Sequence, residues 1–299
     1  MPVSDPARRA ILLMLLAVGL FALMDGGMKW LGADYPPLPV AALRGAVGLP
    51  LVVVWIMMRR RMHTLWPIRW RLHLLRGALG ITMMTGFVYG LARMPMSTAY
   101  AITFVAPLVI TALAVPLLGE KVGPRRWGAI VVGLLGVIVV LRPTGEGMVS
   151  LAGLVLLGAA VCYALTAITV RVLTRYDSTE AMVFWFLAML AVGAGLLALP
   201  GWVWIQPVDW WVILGVGVSG ALGQVALTNA YRVGEASQLA PLEYTGLVWV
   251  VLLVLTVWGV LPDSATWIGA GIIIASGIYL LHRERIKAPD KERPPLEPM

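Results

Sequence analysis

The chain has 299 residues, of which 60% are hydrophobic and only 13% are charged. A soluble globular domain carries about 25% charged residues, so the composition excludes a soluble protein and predicts an all-α integral membrane protein. The net charge of +8 is then expected in cytoplasmic loops and not on a nucleic-acid-binding surface.

Apolar runs of about 18–24 residues recur along the chain with short polar breaks, as expected of membrane-spanning helices. We predict ten transmembrane helices, at 10–31, 38–58, 72–92, 97–118, 125–141, 151–172, 180–199, 209–231, 237–260 and 263–281. The segment before them, 1–9, is short, and the charged, proline-rich tail at 282–299 is expected to be disordered.

Most Lys and Arg residues fall in the inner loops if the N-terminus is cytoplasmic, including the run Arg59-Arg60-Arg61 and the C-terminal tail. The loop around 200–209 has no basic residue and carries Trp202 and Trp204, which are typical of an outer membrane interface. This bias predicts that both termini are cytoplasmic.

The two halves of the chain resemble each other. Residues 21–31, FALMDGGMKWL, align with YALTAITVRVL at 163–173, and MSTAYAITF at 96–104 aligns with ASQLAPLEY at 236–244. Each half, 10–141 and 151–281, holds five predicted spans and is joined to the other by the linker 142–150. Because five is odd, the second copy must enter from the opposite side. Two inverted five-helix repeats are typical of secondary transporters, whose substrate site lies near the midplane.

A family resemblance lies in AYAITFVAPLVITALAVPLLGEKVGPRRWGAIVVGLLGVIVVL, at 99–141. A mid-helix proline, LLGEK at a helix end and Trp-Gly opening a glycine-spaced helix resemble the C-terminal hairpin of an EamA domain. The second half keeps the glycine spacing but has VWGVLPD where the acid would stand. The resemblance covers nearly the whole chain and implies the drug/metabolite transporter superfamily, with bacterial amino-acid exporters of the YddG type closest. It also implies the cell inner membrane and export as the direction.

Asp25, Arg44 and Glu243 stand well inside predicted spans, where charge is costly. Asp25 shares a helix face with Lys29, so the two either form a local ion pair at the helix end, or Asp25 lines a cavity, where it contacts an ammonium group or titrates. Arg44 lies at a similar depth and either pairs with Asp25 or binds a substrate carboxylate. Glu243 either pairs with Arg232 or Arg171, or is a gate or proton-binding carboxylate.

Other polar, aromatic and methionine side chains near mid-helix are candidates for the cavity wall, although interhelical packing would also explain them. They are Met28, Tyr89, Tyr100, Thr103, Tyr163, Gln224, Asn229 and Tyr244. Glu120, in LLGEK, is expected to cap the following turn or to pair with Arg125 and Arg126.

An enzyme is not predicted, because the chain has no H-E-x-x-H motif and its buried acids lie in different leaflets. The single cysteine, Cys162, excludes a cysteine-based metal site, and no cofactor is expected. The sequence predicts a secondary transporter that exports small amphipathic metabolites, first aromatic or other apolar amino acids, by alternating access. The alternatives are an exporter of drugs or cationic compounds and a passive facilitator. Transport coupled to protons and uncoupled transport are both open alternatives. The expected partners are the substrate and membrane lipid, and the protein is expected to be a monomer or a weak homodimer.

Overall fold

The computed structural model describes residues 5–66, 68–93, 96–141 and 151–258, together with 264, 267–269, 271–272 and 275–276. The first half contains α1 Asp5–Leu31, α2 Pro37–Met58, α3 Trp70–Arg93, α4 Met96–Thr103, α5 Ala106–Leu118 and α6 Pro124–Leu141. The second half contains α7 Leu151–Leu173, α8 Thr179–Met189, α9 Gly195–Ala198, α10 Trp210–Val233, α11 Ala236–Leu239 and α12 Gly246–Trp258. A π-helical turn at Leu190–Ala194 joins α8 to α9, and a 3₁₀ segment at Ala240–Thr245 joins α11 to α12. Further 3₁₀ turns lie at Met62–Leu65, Leu199–Gly201 and Pro207–Asp209.

Seven stretches of the described chain are long and apolar enough to cross a membrane. They are Pro6–Leu31, Pro37–Met58, Trp70–Arg93, Leu151–Leu173, Thr179–Gly201, Pro207–Val233 and Ala236–Leu253. The apolar helix α5 is shorter. The predicted tenth span, the linker and the C-terminal tail lie mostly or wholly outside the described residues. All regular structure in the described residues is therefore helical, as predicted, and seven stretches of it could cross a membrane, while the count of ten spans stays a prediction.

The predicted span at 97–118 is interrupted, because the chain leaves the helix at Phe104 and Val105. The cause is Pro107, which has no amide hydrogen to give to the carbonyl of Thr103, four residues earlier. Pro241 has the same effect in the second half, where a 3₁₀ segment replaces regular helix. Both halves therefore contain a broken helix.

Close contacts fix how the helices run. α1 lies antiparallel to α10, since a side chain at Gly234 would meet Ala10 and one at Gly223 would meet Phe21. α7 ends beside the end of α10, where Arg171 Nη1 donates to the carbonyl of Tyr231 at 2.6 Å. We call the end where α1 begins and α10 ends the basic end, and the other the tryptophan end. α1 leaves the basic end and α7 runs towards it, so the two helices run in opposite directions.

Candidate functional site

A cavity of about 180 Å³ lies among α1, α2, α3, α7, α8 and α10 and the two broken helices. Most of its wall is apolar or aromatic, and Phe21, Phe87, Phe104 and Phe186 are the phenylalanines on it. Its charged residues are Asp25, Arg44 and Glu243. Both helix breaks border the cavity, because Phe104, Pro107 and Glu243 all line it. The broken helices thus bring irregular backbone to the place where a solute would sit.

Asp25 accepts a hydrogen bond of 2.7 Å from the hydroxyl of Tyr100 on its Oδ2 atom. Lys29 does not pair with it, because Lys29 Nζ donates instead to the carbonyl of Leu91 at 3.2 Å. That carbonyl needs a donor, since Pro95, four residues on, has no amide hydrogen. The interpretation of Asp25 and Lys29 as a local ion pair is therefore wrong, and Asp25 faces the cavity with a neutral partner.

Arg44 is only 2% exposed, and its Nη1 atom lies 3.7 Å from the sulfur of Met84. Its Nε atom is buried and has no hydrogen-bond partner among the described residues. The predicted contact between Arg44 and Asp25 is absent, since the two form no ion pair and interact only at longer range. A thioether is a weak acceptor, so the guanidinium lacks a strong anionic partner and is suited to bind a solute carboxylate.

Glu243 is held by two phenols, because its Oε1 atom accepts hydrogen bonds from Tyr163 at 2.9 Å and from Tyr231 at 3.2 Å. Its Oε2 atom accepts none from the described chain. The expected ion pairs with Arg171 or Arg232 are not formed. Arg171 donates to the carbonyl of Tyr231, and Arg232 Nε donates to the hydroxyl of Thr179 at 2.9 Å. Glu243, like Asp25, therefore has only neutral hydrogen-bond donors.

Seven of the eleven predicted site residues line the cavity, namely Asp25, Arg44, Tyr100, Thr103, Tyr163, Gln224 and Glu243. The other four are not among its lining residues, and their place in a substrate site stays a prediction. Met28 is fully buried in a packed cluster with Leu31 and Val88.

The remaining three have other contacts that explain their positions. Tyr89 lies under the guanidinium of Arg93, 3.7 Å from its ring centre. Asn229 accepts a hydrogen bond from Thr179, and Tyr244 packs its ring against Phe104, with 5.6 Å between ring centres.

Sequence reasoning missed the aromatic wall and one of the residues that hold Glu243. Phe87 follows Met83 by four residues on α3, and both line the cavity, so helical spacing offered a signal for it. The sequence offered no signal for Tyr231. Its hydroxyl reaches Glu243 only because the chain turns back between α10 and the 3₁₀ segment.

At the basic end, Glu120 caps a helix of the other half. Its Oε1 accepts from the amide of Ala236 and its Oε2 from the amide of Ser237, both at 2.9 Å. Gly119 ends α5 with φ at +69°, a conformation that glycine adopts without strain, and so turns the chain towards α11. The expected roles of Glu120 in capping the following turn or pairing with Arg125 or Arg126 are wrong. Arg126 instead pairs with Glu235 at 3.1 Å.

The two halves also touch at the tryptophan end. The hydroxyl of Tyr35 donates to Asp209 Oδ2 at 2.7 Å, and Trp30 Nε1 lies 3.4 Å from Asp209 Oδ1. The hydrogen bond to Asp209 raises the pKa of Tyr35 above its ordinary value, so this phenol remains a neutral donor near pH 7.

A solved structure shares this fold. One crystal structure matches with a TM-score of 0.79, covering 93% of this chain and 99% of its own, at 20% identity. At that identity the likeness shows a shared fold alone.

Curated relatives match over nearly their full length. A riboflavin transporter of Vibrio cholerae is 30% identical over 92% of this chain and 94% of its own. A pseudopaline exporter of Pseudomonas aeruginosa is 27% identical over 93% of this chain and 98% of its own. An S-adenosylmethionine uptake transporter of Rickettsia prowazekii is 29% identical over 91% of this chain and 92% of its own. The model of the EamA-like transporter family matches twice, at residues 8–142 and 150–282. The chain therefore belongs to the EamA-like transporter family of the drug/metabolite transporter superfamily.

Proposed function

We propose that this transporter exports small zwitterionic metabolites across the inner membrane, and that its first substrates are amino acids with aromatic or other apolar side chains. One observation carries the proposal. An apolar cavity contains a carboxylate, Asp25, and a guanidinium, Arg44, that make no ion pair with each other or with another described residue.

Buried charges without counter-charges are costly and mark functional sites in membrane proteins. An amino acid supplies both missing charges in one molecule, its carboxylate to Arg44 and its ammonium group to Asp25. Its side chain would pack against the phenylalanines of the wall. The volume of about 180 Å³ favours a small solute, because pockets for drug-sized ligands hold roughly 300–1,000 Å³.

Movement would be by alternating access between two inverted repeats. The opposite directions of α1 and α7 support this arrangement, as do the helix breaks at Pro107 and Pro241 beside the cavity. The basic end would face the cytoplasm with both termini, following the bias of Lys and Arg.

The relatives support a small molecule as the cargo, but they do not agree on which molecule it is. Their names give riboflavin, pseudopaline and S-adenosylmethionine as cargoes, and both export and uptake as directions. Closeness to amino-acid exporters of the YddG type therefore stays a prediction.

A second candidate, export of cationic compounds, is favoured by Glu243. This cavity acid has only phenolic partners, and with Asp25 it gives the cavity two carboxylates against one guanidinium. Aromatic walls also attract cations.

Purified protein in liposomes separates the two candidates. Uptake of labelled L-phenylalanine and of a cationic dye would be measured with and without a pH gradient, for the parent chain and for Arg44→Gln. Arg59→Gln is the matched control, because Arg59 follows the same helix and stacks on Trp55 outside the cavity.

We expect Arg44→Gln to weaken apparent amino-acid affinity at least about tenfold, as loss of a buried charge partner does, while Arg59→Gln leaves it unchanged. The second candidate would be favoured by two results together. The parent chain would not transport the amino acid, and Arg44→Gln would transport the dye at least as well as the parent. Stimulation by the pH gradient would support proton coupling, and equal fluxes without it would support a passive facilitator.

A further inference from the structure

A continuous chain of contacts joins the cavity to the basic end. It begins at Glu243, which accepts the hydrogen bond of the Tyr231 hydroxyl. The carbonyl of Tyr231 accepts from Arg171 Nη1 at 2.6 Å, and Arg171 Nε lies 3.9 Å from Glu120 Oε1. Glu120 is thereby connected through two residues to a carboxylate of the cavity.

The backbone also connects the two ends of this chain of contacts, Glu120 and Glu243. Glu120 holds the amides of Ala236 and Ser237, which open α11, and the chain reaches Glu243 six residues after Ser237. The backbone between them is the four-residue helix α11 followed by the 3₁₀ segment. Such short elements have little stability of their own, so the contacts at their two ends hold them in place.

The contact at Glu120 crosses between the halves and is shielded from water. Glu120 follows α5 of the first half and caps α11 of the second, and its side chain is only 7% exposed. The neighbouring ion pair of Arg126 and Glu235 is far more exposed, at 22% and 43%. Because solvent screens exposed pairs, Glu120 should contribute more to holding the halves together here.

We propose that Glu120 is a gating residue. Its cap on α11 keeps the basic end of the cavity closed, and Arg171 and Tyr231 tie that cap to Glu243. A cationic group that binds Glu243 draws the carboxylate away from the Tyr231 hydroxyl and so loosens the cap. The inference rests on the proposed transport of a solute with a cationic group, but the closed gate itself can be tested without any solute.

The test measures how fast a cysteine in the cavity reacts with a membrane-impermeant maleimide. Val170 lines the cavity next to Arg171, towards the basic end. The parent for the assay is therefore Cys162→Ser with Val170→Cys, in which the only thiol reports opening at this end. Glu235→Gln is the matched control, since it removes a neighbouring carboxylate that also joins the halves.

Glu120→Ala should raise the alkylation rate about tenfold, the effect of losing a helix cap, and Glu235→Gln should leave it near the parent rate. Glu120→Gln keeps the size of the side chain and should give an alkylation rate between those of the parent and Glu120→Ala. It also serves as the test if Glu120→Ala does not fold. A parent-like rate in a folded Glu120→Gln would overturn the gate.

The link to the cavity is tested separately by Tyr231→Phe, which removes only the hydroxyl that Glu243 accepts and keeps the aromatic ring. We expect a rate several-fold above the parent, with no further increase when Tyr231→Phe is added to Glu120→Ala. A parent rate in Tyr231→Phe would overturn the link. The alkylation assay contains no solute, so its rates test the gate and not the substrate. If these rates are as expected but the protein does not transport amino acids, the proposed function is wrong and the gate still stands.

Discussion

At the residue scale, the cavity side chains Asp25, Arg44 and Glu243 share one property, which is that none contacts an oppositely charged side chain among the described residues. The structure satisfies the acids with phenols and leaves the guanidinium almost unsatisfied. A solute therefore need not break a direct ion pair between protein side chains before it binds. Such an arrangement leaves the charges available to a solute.

Replacing Asp25 and Lys29 in turn tests which of the two serves transport. Asp25→Asn should lower apparent amino-acid affinity about tenfold and should abolish accumulation driven by a pH gradient while exchange continues. Lys29→Gln, which removes only a donor to the Leu91 carbonyl, should keep most of the parent transport rate. Flux into proteoliposomes measures both, and equal losses in the two variants would contradict a solute-contacting Asp25.

The sequence could identify Asp25, Arg44 and Glu243 because a charge within an apolar run stands out. It could not assign their partners, which come from other helices. Lys29 shows the difference, since its helical spacing from Asp25 suggested a pair, while the bond it makes depends on the distant Leu91 carbonyl. Glu120 was likewise noticed for its motif, but the amides it caps are 116 and 117 residues away.

At the scale of helices, glycines set how closely the elements approach the cavity. α10 passes directly over Arg44 at Gly220, where an added Cβ would lie 2.8 Å from Arg44 Nε and 3.0 Å from the sulfur of Met24. Both atoms lie far along flexible side chains, which can move. A larger residue at Gly220 should therefore displace Arg44 without unfolding the bundle.

Gly220→Ala tests this close approach against Gly215→Ala, a control on the same helix where a Cβ would meet nothing within 4 Å. Overpacking costs about 1–3 kcal/mol, and we expect it to appear as roughly tenfold weaker amino-acid binding, with a smaller change in melting temperature. Binding measured by titration calorimetry and melting in detergent give the two readouts. Equal binding by both variants would contradict the placement of Arg44 on the cavity.

Most helices could be predicted from apolar length alone, and seven predicted spans correspond to long apolar helices in the described chain. The break near Pro107 could not be placed in this way, because apolar length does not distinguish one long helix from two short ones. The proline was visible, but whether a proline kinks a helix or ends it depends on what replaces the lost hydrogen bond.

At the scale of the whole molecule, contacts join the two halves at both ends of the bundle. Asp209 joins them at the tryptophan end and Glu120 at the basic end. Alternating access requires that one set of contacts opens while the other holds. The sequence predicted two halves from internal similarity, but contacts across their interface follow from folding and have no periodic signature.

The most direct test of a carrier with this cavity is counterflow. Proteoliposomes loaded with unlabelled L-phenylalanine would be diluted into trace labelled L-phenylalanine, and internal label would be followed over time. We expect the parent chain to accumulate label transiently above its equilibrium level, and Arg44→Gln to lose this overshoot. A parent chain that only equilibrates the label, or matches protein-free liposomes, would contradict amino-acid transport by alternating access.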